Sequence, residues 1–283
     1  MKIALLADIH AGFVALEAVV ADLDQWRPDL VFVAGDIVNR GPRSRDCLDL
    51  VLDRVANAGW QAIRGNHERY LINVAKHPRP YDGLEEAIRQ TVRWSLHDLG
   101  EIERIAALPT ELSYRLEDGE LRVLHASMRH DRDNITEQLS DAELRERIAP
   151  APRIFGCGHT HRPVVRMVDQ TLVVNAGSVG LPFDGDPRAS YARITRHQGV
   201  WQAEIQRIAY DRVRARRDIE QSGLLDQGAA AQIILAEFDD ARPYMASWMK
   251  HFHLAVVRGD LSAEESVELH LRHARQQRSQ VDE

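Results

Sequence analysis

Six short apolar runs, each followed by a burst of glycine, aspartate, asparagine or histidine, set the strongest limit on how this chain can fold. They are Ile3 to Ala7, Leu30 to Ala34, Trp60 to Arg64, Leu121 to Leu124, Arg153 to Phe155 and Thr171 to Val174. Each is too short for a buried helix and is bounded by turn residues, as buried strands are. Helical patterns follow the first two. Leu16, Val19, Val20 and Leu23 stripe a helix within Phe13 to Gln25, and Cys47, Leu48, Val51, Leu52 and Val55 stripe a second that stops near Gly59. Two alternating runs, Tyr191 to Thr195 and Trp201 to Ile208, flank a turn at His197-Gln198-Gly199. This rhythm predicts a layered α/β domain over residues 1–208. Residues 68–108 read as a helical, cap-like insert over one edge, with Ala87, Ile88, Val92, Leu96 and Leu99 as its buried stripe. From about Asp211 only helical patterns remain, so 209–283 reads as a helical C-terminal extension. Within it, Ser262 to Glu265 has the form of a capping box ahead of a final helix to about Gln277.

Composition narrows the function classes. Lys and Arg number 36 against 43 Asp and Glu, and a net charge of −7 argues against a basic binder of nucleic-acid polymers. With two cysteines, Cys47 and Cys157, a disulfide framework and a Cys-rich zinc module are both excluded. The opening apolar run is broken by Asp8, which leaves it short of a signal-peptide core, and no stretch is apolar enough to span a membrane. The expectation is a cytoplasmic protein without a membrane partner. The chain holds 13 histidines, and their positions carry the functional argument.

Asp8 and His10 follow the first run, two residues apart, so extended backbone would point them to one side. Gly35-Asp36-Ile37-Val38-Asn39-Arg40-Gly41-Pro42 follows the second run and Gly65-Asn66-His67-Glu68 the third. His125 follows the fourth, Gly158-His159-Thr160-His161 the fifth, and Asn175-Ala176-Gly177-Ser178 the sixth. Strand ends of this kind are where ligands bind in α/β sheets. Each cluster alone is ordinary, since a single histidine is commonly structural and Gly-Asn is common turn chemistry. Together they form a mixed nitrogen and oxygen donor set that suits Mn²⁺, Fe or Zn²⁺ better than Ca²⁺ or Mg²⁺.

In this order, over residues 1–208, these motifs resemble the calcineurin-like metallophosphoesterases. The stretch from Asn175 to Tyr191 is similar to the small bacterial phosphodiesterase branch, whereas Gly35 to Pro42 and Gly65 to Glu68 are similar to the Ser/Thr phosphatase and diadenosine tetraphosphatase branches. The resemblance implies an α+β four-layer sandwich and two divalent metal ions, Mn²⁺ foremost, with Fe, Zn²⁺ or Ni²⁺ as alternatives. Asp8, His10 and His161 would hold one ion, Asn66, His125 and His159 the other, and Asp36 would bridge them. A metal-bridging hydroxide would then attack phosphorus in line. Arg40 and His67 would be catalytic, Arg40 by forking to phosphoryl oxygens and His67 as proton donor to the leaving oxygen. Arg40, Asn66 and His67 would contact the substrate, and Asn175 would stand close by. The resulting expectation is a phosphoester hydrolase for a small phosphodiester or nucleotide-like substrate. A dinucleoside polyphosphate hydrolase or phosphoprotein phosphatase is the alternative, and a non-catalytic scaffold is the alternative of another class.

Two positions depart from the family pattern. Asn39 stands where the Ser/Thr phosphatases have the aspartate that pairs with the catalytic histidine, and an amide cannot stabilise an imidazolium as a carboxylate does. Ala11 stands where a glycine is usual, adding a Cβ expected to narrow access. Outside the motifs, His77, His97 and His130 read as solvated or rim residues, and His270 and His273 as one exposed helix face. Arg212 to Arg217, interleaved with Asp211, Asp218 and Glu220, reads as a salt-bridged helix surface. Trp94 reads as a core aromatic, with stacking on a nucleobase as its alternative. A homodimer through the C-terminal helices is a further expectation.

Overall fold

The computed structural model of the chain describes residues 1–279. Its elements, in chain order, begin with β1 (Lys2–Leu6), α1 (Phe13–Trp26), β2 (Leu30–Val33), α2 (Ser44–Ala58) and β3 (Gln61–Ala62). Three helices follow, α3 (Asn66–Lys76), α4 (Gly83–Leu99) and α5 (Ile102–Ala106). Then come β4 (Glu111–Leu116), β5 (Gly119–Leu124), α6 (Asp141–Ile148), β6 (Ile154–Cys157), β7 (Val164–Val168) and β8 (Thr171–Asn175). The chain closes with β9 (Ala189–His197), β10 (Val200–Ile208), α7 (Arg212–Gln221), α8 (Ala229–Asp240), α9 (Met245–Val257) and α10 (Ala263–Ser279).

The strands form two mixed five-stranded sheets, ordered β10-β9-β1-β2-β3 and β4-β5-β6-β8-β7. In the first, β1 pairs in parallel with β2, and β2 with β3, while β9 and β10 add antiparallel strands. In the second, β5, β6 and β8 are parallel, and β4 and β7 are the antiparallel edges. Side chains alternate across each strand. On β1, Ile3 and Leu5 face the second sheet and pack with Phe32, Val123, Ile154 and Val174. Ala4 and Leu6 point the other way, into a core shared with Leu16, Val19 and Leu23 of α1 and Leu48 and Val51 of α2. On the far side of the second sheet, Phe155, Cys157 and Val173 pack against Leu144 and Ile148 of α6. Helices, sheet, sheet and helix therefore make four layers, a mixed α/β sandwich.

This arrangement brings the carboxyl ends of β1, β2 and β3 beside those of β5, β6 and β8. The loops leaving those ends are the polar bursts of the sequence. The C-terminal helices pack on α4 and α8 through Leu84, Ala87, Ala230, Ile233 and Trp248. Trp94 packs against a cluster that includes Leu181 and Ile219.

Candidate functional site

Asp8, His10, Asp36, Asn66, His125 and His161 are all buried and converge between the sheet ends. Their backbones do not follow the expected extended path. Asp8, His10, Ala11, Asp36, Asn39, Arg40, His159 and His161 all have positive φ, between 47° and 71°. L-residues seldom adopt this region, and such strain persists only where the surroundings over-determine it. Asp8 and His10 therefore meet because their loop coils back, not because side chains alternate along a strand. Ala11, too, departs from expectation. It is buried against Gly41, where its Cβ helps fill the turn, and so does not narrow the approach.

Two features hold these loops in place. Glu68, fully buried, accepts the backbone N–H groups of Gly65 at 2.6 Å and Asp36 at 2.9 Å on one oxygen, and of Ile37 at 2.7 Å and Val38 at 3.1 Å on the other. Burial and the neighbouring Asp36 charge push its carboxyl up to about 7. Gly65 and Gly158 allow close approach, since a Cβ on Gly65 would overlap the Asp36 carboxylate and one on Gly158 would overlap Ala7 and the Asp8 carboxylate. Asn175 donates to the Gly158 carbonyl at 2.7 Å and to the Thr160 hydroxyl at 3.0 Å, which fixes the loop carrying His159 and His161.

The imidazoles are oriented by carbonyls behind them. His10 Nδ1 lies 3.3 Å from the Asn39 carbonyl, His161 Nδ1 2.5 Å from that of Leu181, and His125 Nδ1 2.8 Å from that of Ala34. A carbonyl only accepts, so each Nδ1 carries the proton and each Nε2 faces inward. Burial, with His161 and His67 nearby, holds His10 well below the usual histidine range, and burial with Arg40 does the same for His161. Both rings are therefore neutral, and their Nε2 lone pairs oppose each other at 3.0 Å. Two acceptors in that position repel unless a cation lies among them. Asp8 Oδ1, buried and without a hydrogen-bond partner among the described residues, sits 3.6 Å from His161 Nε2 and 4.0 Å from His10 Nε2. This donor set fits a divalent transition-metal ion.

Asp36 stands between two groups. Its Oδ2 is 3.6 Å from His10 Nε2 and 3.2 Å from His125 Nε2, and its Oδ1 accepts the His67 backbone N–H at 2.8 Å. Although burial opposes it, the His125 charge holds Asp36 well below its usual value, and Asp36 in turn raises His125 to about 10 against burial. His125 Nε2 also faces the Asn66 amide at 2.8 Å. His159 is held more loosely, its ring 5.2 Å from that of His125 and its backbone N–H donated to Asp8 Oδ2 at 2.8 Å. Burial and the His125 charge lower it to about 4. Asp8 with His10 and His161, and Asp8 with Asp36 and His125, each bring donor atoms within 4.8 Å of one another.

His67 and Arg40 line an open cavity of about 1210 Å³. Asn39 Oδ1 accepts from the Arg40 backbone N–H at 2.9 Å and from Ser95 Oγ at 3.1 Å, which leaves its Nδ2 to donate to His67 Nδ1 at 2.8 Å. His67 is thereby fixed with its proton on Nε2, and burial lowers it to about 3. Arg40 has a partner that sequence reasoning did not find. Its Nη2 is ion-paired with Glu237 of α8, and the Glu237 side chain is almost fully buried. The other Glu237 oxygen accepts the Tyr244 and Met245 N–H groups at 2.8 and 2.9 Å, at the start of α9. Phe183, also missed, stacks on His161 at 4.2 Å and lies 5.7 Å beneath the Arg40 guanidinium. Phe183 falls inside the Asn175 to Tyr191 stretch, but Glu237 has no local signal, because the residue it serves is 197 positions away.

Residues 1–199 match the calcineurin-like phosphoesterase superfamily domain. A solved structure of a metallophosphoesterase from Sphaerobacter thermophilus has a TM-score of 0.64 at 27% identity, covering 85% of this chain and 100% of that one. A hypothetical protein from Pyrococcus horikoshii OT3 shares the fold with a TM-score of 0.70 at 18% identity, covering 84% of this chain and 97% of its own. An uncharacterized protein of Methanocaldococcus jannaschii is 26% identical over 239 residues, 78% of this chain and 93% of that protein.

Proposed function

The chain belongs to the calcineurin-like phosphoesterase superfamily, and from that premise we propose that it is a dinuclear metal-dependent phosphoester hydrolase acting on a small phosphodiester or nucleotide-like phosphoester. The observation that carries this reading is the pair of neutral imidazole lone pairs 3.0 Å apart, beside the unpartnered Asp8 Oδ1. Asp8, His10 and His161 are assigned to one ion, Asn66, His125 and His159 to the other, and Asp36 to both. When bound, two divalent cations, Mn²⁺ foremost with Fe, Zn²⁺ or Ni²⁺ as alternatives, supply Lewis acidity to the phosphoryl group and lower the pKa of water.

The protein's own groups divide the remaining tasks. Arg40, held by Glu237 over the Phe183 ring, directs its guanidinium edge toward the phosphoryl oxygens. Asn66 and His67 contact the substrate from the start of α3. His67 donates a hydrogen bond from Nε2 as a neutral imidazole and keeps its proton, because the Asn39 amide occupies Nδ1 and supplies no negative charge to support an imidazolium. Such a donor suits a leaving group that departs as a stable anion. This favours a phosphoanhydride, as in a dinucleoside polyphosphate, as the second reading over a phosphoprotein.

Protein stripped of metal and reloaded with Mn²⁺ should hydrolyse bis(p-nitrophenyl) phosphate or p-nitrophenyl phosphate, with no turnover before reloading. Asp36→Asn should reduce bound metal and lower kcat at least about a hundredfold. Full activity in stripped protein or in that variant rejects the assignment, and metal binding without turnover across a phosphoester panel supports a scaffold instead.

A further inference from the structure

Outward from His67, aromatic rings and guanidinium groups alternate along one wall of the cavity. The Tyr70 ring lies 6.4 Å from that of His67. The Arg89 guanidinium is 4.3 Å from the centre of Tyr70 and 4.1 Å from that of Tyr81, and Arg79 follows 4.9 Å from Tyr81. α3 supplies Tyr70 and α4 supplies Arg89, while Arg79 and Tyr81 come from the segment joining them. Cation–π contact sets the spacing of the guanidinium groups without neutralising them.

The charges on this wall are poorly compensated. Arg89 is 11% exposed, its nearest carboxylate is Glu85 at a long 3.3 Å, and its buried Nε has no hydrogen-bond partner among the described residues. Arg79, and Arg132 from the segment after β5, have no carboxylate within ion-pair distance among the described residues. Arg69 is a different case, because Asp131 holds it through two contacts of 2.5 and 2.7 Å. Five arginines and two glutamates line the cavity, and one of the two, Glu237, is already paired with Arg40. Like charges gathered at one surface repel, and guanidinium forks match phosphate oxygens. Arg89 and then Arg79 follow His67 at one and two aromatic rings' remove, a succession that suits a second phosphate better than the scissile one. A diester with neutral arms would leave them unpaired.

We propose that Arg79 and Arg89, spaced by Tyr70 and Tyr81, form with Arg132 of the same cavity lining a subsite for a second, non-scissile phosphate. The substrate class is then a molecule with two or more linked phosphates. The assignment of the scissile phosphate rests on the hydrolase reading above, but the anion site stands on its own residues.

The test uses inorganic tripolyphosphate and the full-length protein freed of metal by chelation and dialysis. Calorimetry at low salt should show tripolyphosphate binding more tightly than orthophosphate. Arg79→Gln/Arg132→Gln, both at exposed positions, should weaken tripolyphosphate binding about tenfold or more. Arg89→Lys keeps the charge but not the fork, and should weaken binding as well. In the Mn²⁺-loaded enzyme, the double variant should lose about tenfold of its kcat/KM preference for a dinucleoside polyphosphate over bis(p-nitrophenyl) phosphate. Equal affinity for tripolyphosphate and orthophosphate, or unchanged binding in the double variant, overturns the subsite. Binding that responds to the substitutions without any turnover leaves the subsite standing and rejects the hydrolase reading. Turnover of simple esters without tripolyphosphate binding does the reverse.

Discussion

Glu68 is buried, negatively charged when ionised and outside both proposed ligand sets, yet four backbone N–H groups from two site loops end on its carboxylate. Glu68→Gln replaces one of its two oxygens with an NH₂ group that faces two N–H donors. Each buried donor left without an acceptor costs about 1–3 kcal/mol, so the variant should lose about 3 kcal/mol of stability and bind metal more weakly. Denaturant unfolding and metal analysis check both expectations, and a variant with wild-type stability would show that water replaces the carboxylate. The contrast with the residues proposed as ligands marks what a sequence reveals at this scale. Asp8, His10, Asp36 and His161 are legible because polar, metal-binding residue types at the ends of apolar runs are unusual in company. Their left-handed backbones are not legible, because aspartate and histidine carry no local preference strong enough to announce positive φ. The role of Glu68 is equally silent, since three of its four partners are main-chain groups contributed by another loop.

Elements show the same division. The six buried runs and the two helices after β1 and β2 lie where hydrophobic patterning places them, because each presents a continuous apolar surface to a core. β4, β7 and α6 escaped that reading. β4 alternates, with Leu112, Tyr114 and Leu116 facing inward and Glu111, Ser113 and Arg115 outward, and β7 exposes Val165 and Met167 at the sheet edge. α6 buries only Leu144 and Ile148, although Ser140 and Glu143 form a capping box that could have located its start. The C-terminal helices supply a correction too. His270 is buried rather than part of an exposed face, 6.0 Å from the Tyr244 ring and 5.9 Å from Phe252, with Nε2 3.1 Å from Ser247 Oγ. Burial lowers its pKa, and His251 and His273 act in the same direction. The unfolded chain, with histidine near about 6.5, then binds more protons than the folded one at mildly acid pH. Stability from this group is therefore complete above about pH 6.5 and declines as pH falls below it. The Tm of the wild type should drop more steeply between pH 7 and 5 than that of His270→Gln, and parallel curves would remove His270 as the cause.

Across the whole molecule, the C-terminal helices α8 and α9 line the cavity of the candidate site. α7 is tied to the core by Arg214–Glu17 at 2.8 Å and Arg43–Asp218 at 3.7 Å, and α8 sends Glu237 through that contact to Arg40. Glu237 does two separable things, because one oxygen receives the α9 N–H groups and the other holds Arg40. Glu237→Gln retains an acceptor for α9 while removing the charge opposite Arg40. Breaking a largely buried pair from one side should cost about 3 kcal/mol, at the low end because Arg40 keeps some solvent access. If Arg40 acts on the transition state only while it is held in place, kcat should fall about tenfold with a smaller change in KM, and Glu237→Asp should recover part of the loss. Arg40→Lys should not recover it, since an ammonium cannot make the same fork. A rise in KM with kcat unchanged would make Arg40 a ground-state binder of substrate. Loss of stability with both constants unchanged would reduce the pair to a brace between tail and core, and the helical extension would then have no part in turnover.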